Sequence, residues 1–227
     1  MQKSDETAIA DTPGPRQRGR PRAFDRDAAL GKAVRLFWTR GYEATSIADL
    51  TAELGIGAPS LYAAFGSKEA LYAEALQRYA RDNEAYVWAA FRVAETARGA
   101  VYSLLSDSAA ALTGCVADIP RGCMITLSQV GSEGHEALGE LVRAARAQTL
   151  ECLLARLDAG ADAGEIPASV DRHALARFVQ TTQAGMSILA RDGASGAELQ
   201  AVADLAMDAW DARLAAANKV SERPNGS

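Results

Sequence analysis

Residues 45–68, TSIADLTAELGIGAPSLYAAFGSK, constrain this chain more than any other stretch. Ile47, Leu50 and Leu54 recur at helical spacing behind Thr45, whose hydroxyl is placed to accept a backbone N–H at a helix start. Gly55 stops that helix, and Gly57 permits a tight turn. Pro59 is tolerated in the first turn of a new helix, where Leu61 and Phe65 lie four apart on one face. Ser60, Tyr62, Ala63 and Ala64 are left on the other faces. A short helix, a glycine turn and a second short helix with an outward hydroxyl and phenol form the helix-turn-helix pattern, whose second helix enters the DNA major groove. Periodicity alone also admits a plain helical hairpin, so the flanking residues have to decide.

The flanks are basic. The net charge of the whole chain is −5, but residues 14–68 hold nine Lys or Arg against five acids, and residues 69–227 are net negative. Such asymmetry is expected when one small unit docks on phosphates and a larger one stays soluble. Arg16, Arg18, Arg20 and Arg22 alternate with small residues and proline in a segment without apolar periodicity. Residues 1–22 are therefore expected to be a disordered basic arm, either a solvated charge run or a strand of chain along the DNA backbone or minor groove.

Around the central motif the pattern is helical throughout. Over residues 25–40, Leu30, Ala33, Val34 and Phe37 make one stripe, with Asp25 or Asp27 favourable at its start and Gly41 at its end. Trp38 and Tyr42 are placed to seal this helix against the next. Ser67 is a good N-cap for one long helix reaching Phe91, about 35 Å, enough to couple two domains. Further helices are expected over 96–113, 123–130, 136–159, 171–191 and 196–216, broken by glycine- and proline-containing stretches. The last two suit a helix–helix interface, between subunits or within one.

Other classes are disfavoured. No run approaches the roughly 18 apolar residues of a membrane span, and the N-terminus lacks the apolar segment of a signal peptide, so a cytoplasmic location is expected. Cys115, Cys123 and Cys152 are odd in number and lack metal-type spacing, so no disulfide framework, metal or cofactor is expected. A helical enzyme built on Cys123, Cys152, His135 and His173 is the remote alternative, and no spacing supports it.

Gly41-Tyr42, the run 45–54, Gly55-Ile56, Leu61-Tyr62, Phe65, Ser67-Lys68-Glu69 and Leu71 together resemble the N-terminal domain of TetR/AcrR-type transcriptional regulators, over residues 23–71. The resemblance implies an all-α protein, with a three-helix DNA-binding domain on a larger helical domain that binds a small effector and dimerises through its last two long helices. The expected divisions are 1–22 (arm), 23–68 (DNA-binding domain), 69–217 (effector-binding and dimerisation domain) and 218–227 (disordered tail). Carried over by position, Thr45 contacts phosphate, Ala58, Ser60 and Tyr62 face DNA, Lys68 clamps phosphate, and Arg18, Arg20 and Arg22 belong to the arm. The alanines at 58, 63 and 64 stand where many relatives are basic or polar. Thymine-methyl contacts and the arm are then expected to carry more of the specificity.

The function this implies is a ligand-responsive repressor released from a palindromic double-stranded operator as a homodimer. Trp88, Phe91, Tyr102, Cys123, Met124, Gln129 and Met186 are candidates to line the effector cavity. The alternative trigger is oxidation or alkylation of Cys123, which follows Arg121-Gly122.

Overall fold

A computed structural model describes residues 24–116, 118–130 and 134–221. The basic arm, with Arg18, Arg20 and Arg22, lies outside them. Among the described residues all regular structure is helical, in the order α1 (Arg26–Arg40), α2 (Ile47–Leu54), α3 (Ala58–Phe65), α4 (Lys68–Val87), α5 (Ala89–Val93), α6 (Ala97–Leu112), α7 (Met124–Leu127), α8 (Glu136–Asp162), α9 (Arg172–Arg191) and α10 (Gly196–Ser221).

Local chemistry explains most boundaries. Asp25 caps α1 by accepting the Ala28 N–H, Thr96 caps α6 through Gly99, and Asp171 caps α9 through Ala174. Ser67 accepts the Ala70 N–H at the start of α4. Helix α2 begins one residue later than its pattern predicts. Its cap is Ser46, which forms a reciprocal capping box with Asp49, and it ends at Gly55 in the left-handed conformation.

Three expected boundaries are corrected. The long helix does not run to Phe91: α4 stops at Val87, and α5 begins after Trp88. No glycine or proline marks this break. It lets Val87 and Phe91 both bury in the second core while Trp88 packs edge-on against Phe91 at 5.1 Å. The expected helix 123–130 shrinks to one turn, Met124–Leu127, because the Cys123 sulfur caps it and Ser128 turns extended. Helix α10 runs to Ser221, past the expected tail boundary at 217.

Two apolar clusters hold the helices together. One gathers Phe37, Leu50, Leu61, Leu71 and Tyr72 from α1–α4, and Met124, Leu138 and Val142 join it. The other centres on Leu104, Leu105, Leu153, Leu157, Met186, Leu199 and Trp210 from α6 and α8–α10. Helix α4 supplies both, Leu71 to Tyr79 for the first and Val87 for the second.

Candidate nucleic-acid interface and effector cavity

The face presented by α3 is small and uncharged. Leu61 and Phe65 are buried, and Ser60, Tyr62 and Ala63 are exposed, with Tyr62 at 46%. Ala58 is half-buried at the first position of the helix. At the head of α4 the Lys68 ammonium lies 4.1 Å over the Tyr42 ring, an attraction between cation and π face that fixes the side chain without neutralising it. Tyr42 in turn donates its hydroxyl to Glu69 at 2.9 Å. Burial first and this carboxylate second push the Tyr42 pKa above its ordinary value, so the ring stays a neutral platform.

Thr45 is not available to phosphate through its side chain. It is fully buried, and its hydroxyl donates to the Gly41 carbonyl at 2.7 Å. The exposed cap beside it is Ser46. Asp49 completes that cap, and its pKa falls to about 2, chiefly through hydrogen bonds from the Ser46 hydroxyl and backbone N–H and then through Arg40.

Most cations near this unit are committed elsewhere. Arg26 pairs with Glu74 at 2.8 Å, donates to the Ala64 carbonyl at 3.1 Å and lies over Phe65, locking the end of α3 to α4. Arg40 pairs with Asp49, Arg35 with Asp118, and Lys32 donates to the Glu53 carbonyl. Glu74 and Asp118 lie outside the stretch whose charge was counted, so the local sum overstates the free positive charge. Among the described residues of 24–68, Lys32 and Lys68 are the cations without a carboxylate partner, Lys32 held by the Glu53 carbonyl and Lys68 over the Tyr42 ring.

The second site is a cavity of about 600 Å³ between α4, α6, α8 and α9. Of the seven expected lining residues it contains Trp88 and Cys123. The others are corrected: Phe91, Met124 and Met186 are packed in the cores, while Tyr102 and Gln129 point to solvent. Periodicity finds apolar faces, and an apolar residue on such a face most often belongs to the core. Sequence reasoning missed the polar lining, notably Arg146 and Thr149 on α8 and Arg177, Gln180 and Gln183 on α9. The available signal was polar residues three and four apart on faces that otherwise turn inward. Gln183 donates to Ser108 at 2.8 Å, and Gln180 donates to the Arg146 carbonyl at 2.8 Å.

Cavity and DNA-facing unit meet at one tripeptide. Trp38 at the end of α1 donates its indole N–H to the Gly122 carbonyl at 2.8 Å. The next residue, Cys123, lines the cavity and donates its backbone N–H to the Ser187 hydroxyl at 2.7 Å. Arg191 at the end of α9 donates to the carbonyls of Arg121, Trp38 and Thr39. Tyr79 packs edge-on against Trp38 at 4.7 Å and also lines the cavity, with its hydroxyl beside Cys123. Burial drives its pKa well above the usual phenol range.

Comparison with known proteins agrees with this geometry. The family profile described as bacterial regulatory proteins, tetR family, matches residues 29–75, spanning α1 to the first half of α4. The HTH-type transcriptional repressor ComR of Escherichia coli K12 is 39% identical over 206 residues, 86% of this chain and 93% of ComR. The chain belongs to the TetR family of bacterial regulators. A second E. coli repressor, BdcR, is 49% identical over 61 residues, 27% of this chain and 31% of BdcR. Among solved structures, a cysteine mutant of the TetR-family regulator CifR in complex with 26-bp double-stranded operator DNA superposes with a TM-score of 0.78 at 40% identity, covering 84% of this chain and 100% of that one. These relatives are transcription regulators, not enzymes. The α1–α3 unit and the larger helical part correspond to the two parts of the TetR-type fold, and among the described residues no helix is long and apolar enough to cross a membrane.

Proposed function

We propose that this TetR-family chain is a repressor that binds a palindromic operator as a homodimer and is released when a small molecule occupies the cavity between α4, α6, α8 and α9. The DNA-facing groups in this reading are Ser60 and Tyr62 on α3, the Ala58 and Ala63 methyls, Lys68 on α4, the Ser46 end of α2 in place of Thr45, and the arm residues Arg18, Arg20 and Arg22. Operator complexes of CifR support the DNA partner. The observation that carries the coupling is the Arg121-Gly122-Cys123 tripeptide, which is hydrogen-bonded to Trp38 on one side and lines the cavity on the other. The acceptor of Trp38 lies one peptide unit from Cys123, so a ligand that displaces Cys123 pulls directly on that hydrogen bond. Helix α4, unbroken from Lys68 to the cavity-lining Tyr79 and Val87, offers a second route between the same two sites.

Dimerisation is supported by exposed apolar side chains on the last two helices: Phe178 and Leu189 on α9 and Leu205, 68% exposed, on α10. A single α3 reads too few base pairs for useful specificity, and two copies must be separated by about 34 Å along the duplex to share one face. The test is selection of genomic fragments by the full chain, followed by fluorescence anisotropy. Twofold-symmetric fragments bound by a dimer are expected, and binding without sequence preference would overturn the reading. Reciprocity then requires the effector to weaken operator binding by the factor by which operator weakens effector binding, about 1–3 kcal/mol of coupling.

One observation favours a second trigger. Cys123 lines the cavity at the same tripeptide and its sulfur accepts the Thr126 N–H, so alkylation or oxidation there would break that cap and strain the adjoining Trp38 contact. Intact-mass measurement of the protein released from DNA by an added electrophile separates the two triggers.

A further inference from the structure

Several arginines of the described surface are paired with carboxylates: Arg26 with Glu74, Arg98 with Asp211, Arg172 with Asp158, Arg143 with Glu140. Two arginines of the cavity depart from this. Arg146 on α8 spends Nε and Nη2 on the carbonyls of Ile125, Thr126 and Ser128, which are neutral acceptors, and its Nη1 has no protein partner among the described residues. Arg177 on α9 donates Nη1 to the Gln180 carbonyl oxygen at 3.0 Å, again a neutral group, and no described carboxylate lies within 4.0 Å of either guanidinium. Gln180 joins the two, because its amide nitrogen donates to the Arg146 carbonyl. Both arginines line the same cavity, Arg146 with its guanidinium held by the loop carbonyls. Among the described lining residues none carries a carboxylate, so this lining is net positive.

Arg146 is half-buried and satisfied only by neutral dipoles, so it keeps most of its attraction for an anion, while Arg177 is exposed beside it in the lining; a guanidinium offers planar N–H pairs that match a carboxylate. Val87, Trp88, Leu112 and Ile188 supply apolar lining in the same space. We infer that the effector is an amphiphilic monoanion, a carboxylate on an apolar or aromatic body, with its head held by Arg177 and the free edge of Arg146. This rests on the reading of the cavity as the effector site.

The test uses three probes with one body and different heads, 4-phenylbutyrate, 4-phenylbutanol and 4-phenylbutylammonium, titrated into the full chain by calorimetry. Quenching of Trp88 reports entry, with Trp88→Phe as the control that removes the signal. The carboxylate is expected to bind at least tenfold more tightly than the alcohol, and the ammonium more weakly than either. Arg146 holds three carbonyls and its loss endangers folding, so the variant is Arg177→Gln, an exposed residue whose one described side-chain hydrogen-bond partner is Gln180. It should cut the carboxylate-over-alcohol ratio at least fivefold. Equal or tighter binding of the alcohol or the ammonium, or a ratio untouched in Arg177→Gln, overturns the anion inference and leaves the cavity as a site for other chemistry. If none of the three binds, the cavity reading itself falls, and this inference with it.

Discussion

Gly122→Ala puts the tripeptide between cavity and DNA-facing unit to a quantitative test. Gly122 has φ +78°, where an L side chain costs about 1–2 kcal/mol. A Cβ there would meet Leu127 Cδ1 at 2.6 Å and the Ser187 carbonyl oxygen at 2.8 Å. The leucine methyl ends a side chain and can move, but the Ser187 carbonyl belongs to the backbone of α9 and cannot. Overpacking of this kind costs about 1–3 kcal/mol. If the segment shifts to relieve the clash, it loses hydrogen bonds from Trp38 and to Ser187 instead, at a similar cost of about 1–3 kcal/mol per buried group left unpaired. These are alternatives rather than a sum, so the expected total is about 2–5 kcal/mol. Gly164→Ala is the control, with φ +79° and nothing within 4 Å of its Cβ, and should show the backbone part alone. Urea unfolding followed by far-UV circular dichroism measures both, at unchanged slope. Equal destabilisation of the two variants would refute the packing argument. If Gly122→Ala is destabilised as expected but still loses operator by the wild-type factor when effector is added, the tripeptide is not the route of coupling.

Lys68→Ala should weaken binding to all duplexes alike and lower the salt dependence by about one counterion per protomer; an unchanged slope in anisotropy titrations would exclude Lys68 as a phosphate contact. Tyr62→Ala should cost about 1–3 kcal/mol on the preferred sequence and far less on unrelated DNA, so an equal loss on both would remove Tyr62 from base recognition. The pKa of Asp49 is lowered in the folded chain to about 2, so its contribution to stability is complete above the unfolded value near 3.9 and drains away as pH falls toward 2. Asp49→Asn should accordingly lower the melting temperature at neutral pH and flatten its decline below about pH 4, and parallel curves for the two proteins would contradict the capping role. Leu205→Glu places a charge in the exposed apolar face of α10 and should shift sedimentation toward monomer with the melting of dilute protein little changed; an unaltered dimer would put the interface elsewhere.

How much of this was legible follows from how far apart the deciding contacts lie in the chain. Helices α1–α3 could be placed from residues within one turn of each other: Asp25 ahead of Leu30, Leu50 with Leu54, Gly55 after Leu54, and Leu61 with Phe65. The same local chemistry placed α6 and α9, and the in-register run 41–71 was specific enough to indicate the family. It erred where a neighbour one residue away was an equally good candidate, as with Thr45 and Ser46. Both hydroxyls could cap α2, and burial under Gly41 settled which one did.

The site beyond α3 was legible only in outline. The chain's own pattern indicated an all-helical fold, a helix-turn-helix head and a larger helical part, because helical period and capping are properties of residues three or four apart. Three-dimensional packing alone decided which arginines remain free for phosphate or anion, since Arg26 meets Glu74, 48 residues away, and Arg35 meets Asp118, 83 away. It also decided that α4 breaks at Trp88, that Met186 turns to the core while Gln183 turns to the cavity, and that Trp38 finds its acceptor at Gly122, 84 residues on. Each of these depends on which helices come to lie side by side, and an amphipathic pattern fixes a helix's inward face without fixing the neighbour that face will meet.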